Sequence, residues 1–139
     1  MGGVYIRCGS FEGNDKSCSS IQVVLQDLAG EANPTEQAVL LRIESLLDGA
    51  SDHILIAPED AVSLLSLVRR HRMAIAAKIA PITDPFEQIE RDYQANPGLD
   101  PTDAKYGKSV GWKYYCILDV EKAFQVSARE REPVVLTWD

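Results

Sequence analysis

Apolar residues recur every three or four positions through most of the chain, and short alternating runs flank this helical pattern. Residues 3–8 alternate and contain β-branched and aromatic side chains, which predicts a short strand. Residues 134–138 predict a second strand of the same kind. The apolar run 53–57 lies between turn signals and is compatible with a third strand, although it is too short to establish one.

Capping signals set the expected bounds of the helices. Asn33 is a good N-cap, Pro34 suits the first helical position, and Glu36 occupies the capping-box position. A helix is therefore predicted to begin there and to end near Gly49, a residue that commonly terminates helices. Similar signals and spacing predict further helices over 20–30, 58–80 and 85–95.

The remaining segments comprise two expected loops and one ambiguous stretch. Residues 10–20 and 99–108 are polar and contain turn-forming residues, so both predict exposed loops. Residues 110–129 predict a fifth helix, because apolar positions continue there at helical spacing. The alternative is a strand over 112–118 followed by a helix capped by Asp119, and periodicity alone does not decide between the two.

Together these elements predict a helix-dominated α+β fold. About five helices accompany a small sheet, in which the first and last strands can pair. The sequence has no repeat with a period of 20–50 residues and no low-complexity linker. We therefore expect a single globular domain over residues 1–139.

Composition excludes several classes of protein. The apolar fraction of 45% is high enough to fill a core, so general disorder is not expected. Three cysteines without CxxC spacing do not make a disulfide framework, and free thiols fit the reducing cytosol. The start of the chain has no secretory signal pattern. The longest apolar stretch, 73–82, is far shorter than the roughly 20 residues that span a bilayer, so we expect a cytoplasmic protein with no membrane partner.

Charge is distributed unevenly along the chain, which carries a formal net charge of −7. Residues 27–60 hold eight acids and one base, and residues 84–103 hold six acids and one base. Between them, residues 61–83 hold four bases and no acid. The net negative charge repels phosphate, and the basic run 69–72 lacks the interleaved aromatics of a stacking surface. We therefore expect no nucleic-acid partner.

The second acidic block is the candidate binding surface for a basic protein. Glu87 and Glu90 are three residues apart on a predicted helix, where like charges repel and cost stability. Complementary charge on a partner would relieve that repulsion and raise the association rate. The alternative is that basic and acidic helices only compensate each other as solvated faces. The candidate partner-binding residues are Asp84, Glu87, Glu90, Asp92, Asp100 and Asp103.

Candidate catalytic and metal-binding chemistry is sparse. The sequence contains no GxGxxG, P-loop or GxSxG motif, so no nucleotide cofactor or serine nucleophile is expected. His53 follows Asp52, but neighbouring residues on a strand point to opposite faces. His71 borders the apolar face of the predicted third helix, as a structural histidine does. The cysteines and histidines show no metal-ligand spacing, so no metal or other cofactor is expected.

The C-terminal run GWKYYCILDVEKAFQVSAREREPVVLTWD resembles small acidic bacterial immunity proteins, which neutralise polymorphic or secreted toxins. It combines a glycine-aromatic entry, an amphipathic segment, a charged turn and a Pro-Val-Val strand. The resemblance is to a class with many folds, and it assigns no functional residue. It implies a cytosolic, non-enzymatic protein that binds and blocks one cognate toxin.

Two other functions remain open from the sequence. One is a small enzyme that uses dispersed histidines and carboxylates, which would require a deep pocket with a histidine and convergent polar groups. The other is a regulatory module that self-associates through its aromatic segment, since Trp and Tyr are favoured at interfaces. That segment contains Trp112, Tyr114 and Tyr115. Neither the oligomeric state nor the identity of a partner follows from the pattern.

Overall fold

A computed structural model describes residues 3–49 and 52–138 of the chain. Within these ranges the fold is helix-dominated α+β, as predicted, with six helices and one antiparallel sheet of four strands. The strands are β1 (Val4–Cys8), β2 (Phe11–Glu12), β3 (His53–Ile56) and β4 (Val134–Trp138). The helices are α1 (Ile21–Glu31), α2 (Pro34–Gly49), α3 (Pro58–Ile79), α4 (Pro85–Ala95), α5 (Pro101–Asp103) and α6 (Val110–Glu130).

The sheet has the strand order β2-β1-β4-β3. β4 pairs antiparallel with β1 on one side and with β3 on the other, so the expected pairing of the first and last strands is confirmed. In this register Leu136 lies opposite both Ile6 and Ile54, and all three side chains are buried. One face of the sheet therefore supplies the floor of the core, as the alternation along the strands requires.

The capping box of α2 forms as predicted. The Asn33 carboxamide accepts a hydrogen bond from the Glu36 amide at 2.8 Å, and the Glu36 carboxylate accepts one from the Asn33 amide at 3.0 Å. Val39, Leu40 and Ile43 of this helix are buried. Each of these local features follows from sequence signals within three or four residues of one another.

Three expectations need correction. The segment predicted as a loop over 10–20 contains the short strand β2, which pairs with β1. The segment predicted as a loop over 99–108 contains the single-turn helix α5, followed by a kinked turn at Ala104–Lys108 in which Tyr106 and Gly107 have non-helical backbone angles. Its buried residues, Leu99 and Ala104, anchor it to the domain. The alternative strand over 112–118 is wrong, because these residues lie inside α6.

The core lies between the sheet and the helices, and α6 is at its centre. α6 packs against α3 and α4 and also contacts β1. The inner face of α6 includes Ile117, Val120 and Phe124, whose side chains are almost completely buried. An apolar void of about 10 Å³ remains between the sheet and the helices, at the lower limit for holding a single water molecule.

Candidate protein-binding surface

Close contact with α6 holds α4 in place. Ile89 is the buried residue of α4, and it lies over Gly111 in the first turn of α6. A Cβ atom at position 111 would lie 2.5 Å from the Ile89 amide nitrogen and 2.8 Å from its Cα. Only glycine permits this approach, because the opposing atoms are backbone and cannot rotate away. Gly111 thus permits the close packing of α4 on α6 at Ile89.

Asp92 also faces inward, although it belongs to the predicted acidic site. One carboxylate oxygen accepts hydrogen bonds from the Ser109 hydroxyl at 2.6 Å and from the Gly111 amide at 2.8 Å. The other oxygen accepts one from the Gln88 amide group at 2.8 Å. The charge also lies at the N-terminus of α6, where the helix dipole favours an anion. Asp92 therefore ties α4 to α6 and does not face outward with the other acids.

The other predicted acids are exposed. Asp84 caps α4 by accepting a hydrogen bond from the Phe86 amide at 3.0 Å, and Glu87 and Glu90 lie in the first two turns. Asp100 and Asp103 are also exposed but lie on α5. Asp100 caps that helix by accepting a hydrogen bond from the Thr102 amide. The structure therefore groups three of the six predicted residues on α4 and places two on the following helix.

An exposed aromatic side chain accompanies the acids of α4. Phe86 is 56% exposed, yet its ring centroid lies 4.9 Å from that of the buried Tyr115. Glu90 follows Phe86 by four residues and is therefore its neighbour on the helix surface. We define the α4 surface as Asp84, Phe86, Glu87 and Glu90.

The aromatic rings beneath Phe86 are firmly positioned. Tyr115 makes an edge contact with Trp112 at 5.6 Å between ring centroids, and its hydroxyl donates to the Asp15 carbonyl at 3.3 Å. Burial raises the pKa of Tyr115, and the nearby Asp119 and Asp15 raise it further. The Lys105 ammonium lies 5.1 Å from the Trp112 ring centroid. Phe86 therefore has a fixed support and loses little conformational freedom when a partner covers it.

Basic side chains on neighbouring helices pair with acids of the first acidic block, residues 27–60. Arg70 of α3 pairs with Glu36 of α2 at 3.5 Å. His71 meets the Glu31 carboxylate at 2.5 Å through its Nδ1 atom. Lys113 of α6 also pairs with an acid of this block, Asp27 of α1. Much of the acidity of residues 27–60 is thus balanced inside the fold.

The α4 surface differs in this respect. Among the described residues, its one ion pair joins Glu87 to Arg91 of the same helix at 3.7 Å. Both side chains are exposed, and such pairs contribute about 0–1 kcal/mol. Asp84 and Glu90 make no ion pair with any residue in 3–49 or 52–138. The basic helix α3 pairs elsewhere, because Arg72 contacts Glu121 of α6 at 2.8 Å. Among the described residues, the acids of the α4 surface therefore face solvent without a counterion from another element.

The histidines and thiols do not form a joint site. His53 is exposed on β3 beside the carboxylate of Asp52, whereas His71 is buried between α3 and α1. All three thiols are free and buried, and burial raises the pKa of Cys8 and of Cys116. Across 3–49 and 52–138, no three His, Cys, Asp or Glu side chains are grouped closely enough to hold a metal ion.

Comparison with known proteins gives no match: no family model fits the chain, and no curated protein or solved structure is significantly similar to it. None of the helices in the described part of the chain combines the length and the apolar character that crossing a bilayer requires. The functional conclusion must therefore be drawn from the surfaces of this fold.

Proposed function

We propose that the chain is a non-enzymatic inhibitor of the immunity type, which binds and neutralises a basic protein toxin through its α4 surface. The observation that carries the proposal is the exposed Phe86 among acids that have no counterion from another element. Aromatic residues, Phe among them, are enriched at the cores of protein interfaces, and polar residues form the rim around them. The acids steer a basic partner towards it and disfavour acidic ones.

The resemblance of residues 111–139 to immunity proteins supports the same function, because it implies one cognate toxin as the partner. The cytosol is the proposed compartment, since three buried, unpaired thiols fit a reducing environment. The two alternatives have less support. Tyr114 and Tyr115 are buried within the domain, so their rings are not a surface for self-association. The two histidines lie apart, which does not favour a joint acid–base site.

Charge reversal on α4 tests the proposal. We expect Glu87→Lys with Glu90→Lys to weaken binding of a candidate toxin from a neighbouring gene at least about tenfold, because rim charges set both attraction and specificity. The measurement is the dissociation constant by calorimetry, together with rescue of growth in cells that express the toxin. We expect the variant to remain folded because both positions are exposed, and circular dichroism checks this.

The matched control reverses two exposed acids elsewhere, Glu59→Lys with Glu132→Lys. It changes the net charge equally, and we expect the dissociation constant to stay within about threefold, since it alters only long-range steering. Equal weakening by both double variants would reduce the effect to net charge and contradict a specific α4 surface. Failure of the wild-type chain to rescue cells from any adjacent-gene toxin would contradict the immunity function itself.

A further inference from the structure

A groove runs between α1 and α2 on a side of the domain that the α4 surface does not include. One end, a cleft of about 400 Å³, is lined by Gln22, Leu25, Gln26, Glu44, Leu47 and Asp48. The other end, of about 210 Å³, is lined by Ala29, Gln37, Leu40, Leu41 and Glu44. Glu44 lines both depressions, so they adjoin at this residue, and together we call them the α1–α2 groove.

The smaller depression has a mainly apolar lining, whereas the larger one is mostly polar and carries Glu44 and Asp48. Leu25 and Leu40 are buried in the floor, whereas Leu41 at the edge is 62% exposed. Glu44 and Asp48 are four residues apart on α2, where like charges repel. Neither makes an ion pair with any residue in the described ranges, unlike Glu36 of the same helix. A cation placed over these two acids would therefore relieve repulsion that the fold leaves in place.

The length of the groove restricts its occupant. From Gln37 to Asp48, α2 advances about 16 Å at 1.5 Å per residue. A helix of about three turns has this length and presents apolar side chains at i, i+3, i+4 and i+7 along one face. An extended strand is less suitable, because the groove walls are helices whose backbone groups are already hydrogen-bonded.

We infer that the α1–α2 groove binds a basic amphipathic helix of a partner protein, with leucine-like side chains on the floor and Lys or Arg over Glu44 and Asp48. The inference is independent of the α4 surface, because it concerns different helices and a different class of contact. Charge complementarity selects a basic partner helix over a second copy of this acidic chain, whose own α1 and α2 would bring like charges together.

A model peptide tests the groove directly. The probe is a fluorescein-labelled Leu/Lys peptide in which leucines follow the i, i+3, i+4, i+7 pattern, added to the full chain. Two control peptides have the same leucines with Glu in place of Lys, or the same composition in an order that scatters the leucines. We expect the basic amphipathic peptide to bind at least about tenfold more tightly than either control. When this peptide is added, the amide chemical shifts of the protein should change on α1 and α2.

A pair of leucine variants supplies the matched comparison. Leu41→Arg places a cation at the edge of the groove. Leu46→Arg places the same charge on α2 at a position that does not line the groove. Both leucines are exposed, at 62% and 46%. We expect Leu41→Arg to weaken peptide binding at least about tenfold and Leu46→Arg to change it less than about threefold.

Several results would overturn the inference. Equal binding of the scattered peptide would show attraction by charge alone, and shift changes on α4 would place the peptide at the other surface. A concentration-dependent dimer that Leu41→Arg abolishes would identify a second copy as the occupant. The proposed immunity function is tested with the toxin and with α4 variants, so either proposal can fail while the other stands.

Discussion

Gly111→Ala should lower the free energy of unfolding by about 2–3 kcal/mol, the usual cost of overpacking a well-packed contact. The new Cβ would lie 2.5 Å from the Ile89 amide nitrogen, and neither backbone can move without separating α4 from α6. Helix propensity alone predicts the opposite sign, because Ala is favoured over Gly by about 1 kcal/mol in a helix. Urea denaturation followed by tryptophan fluorescence distinguishes the two predictions.

Gly30→Ala is the control for this substitution. Gly30 lies in α1, and a Cβ there would meet nothing within 4 Å. We expect this variant to be more stable than the wild type by about 0.5–1 kcal/mol, because only the helix propensity changes. A gain in stability at both glycines would show that α4 and α6 are not in close contact at Gly111.

Asp92→Ala should lower the free energy of unfolding by about 2–3 kcal/mol. Each hydrogen bond to a charged group contributes about 1.5–3 kcal/mol, and the donors that lose Asp92 recover part of this through other partners. The substitution leaves the Ser109 hydroxyl and the Gly111 amide without their acceptor. It also removes a negative charge from the N-terminus of α6. Denaturant melts measure the loss, and faster amide exchange in α4 and in the first turn of α6 would locate it.

Glu90→Ala on the same helix is the comparison for Asp92. Glu90 is exposed and lies beside Glu87, so its removal should change stability by less than about 0.5 kcal/mol. Asp92→Asn, which keeps the shape and one acceptor oxygen, should be intermediate between Asp92→Ala and the wild type. If Asp92→Ala and Glu90→Ala had the same free energy of unfolding, Asp92 would contribute no more to stability than an exposed acid. It would then belong with the surface acids, as the sequence alone indicated.

The parts of the fold that could be predicted depend on local signals. The capping box at Asn33 and Glu36, and the proline that follows Asp84, specify helix starts within a few residues. Alternation over 3–8 and 134–138 specified two strands with one buried face each, which made their pairing a reasonable expectation. In contrast, β2 has only two residues and takes its identity from β1, so no pattern within it could indicate a strand.

The negative charge of residues 84–103 located the candidate site in the sequence. Which of these acids face outward depends on contacts with residues that are distant in the sequence. The role of Asp92 is set by Ser109, which is 17 residues away. A signal was present, since Asp92 shares a helical face with Ile89, three residues earlier. Phe86 belongs to the same apolar pattern as Ile89, and spacing does not distinguish a residue at the rim of a stripe from one inside it. Its exposure depends on how α4 packs against α6, where Gly111 permits the close approach of Ile89.

The central claim is that the α4 surface contacts a basic toxin, and Phe86 tests it most directly. The measurement is the dissociation constant of the toxin complex for Phe86→Ala beside Met73→Ala, whose side chain is similarly exposed at 59% but lies on α3. We predict that Phe86→Ala weakens the complex about 30-fold or more, as truncation of a hot-spot residue does, while Met73→Ala leaves it unchanged. An unchanged dissociation constant for Phe86→Ala would contradict the claim.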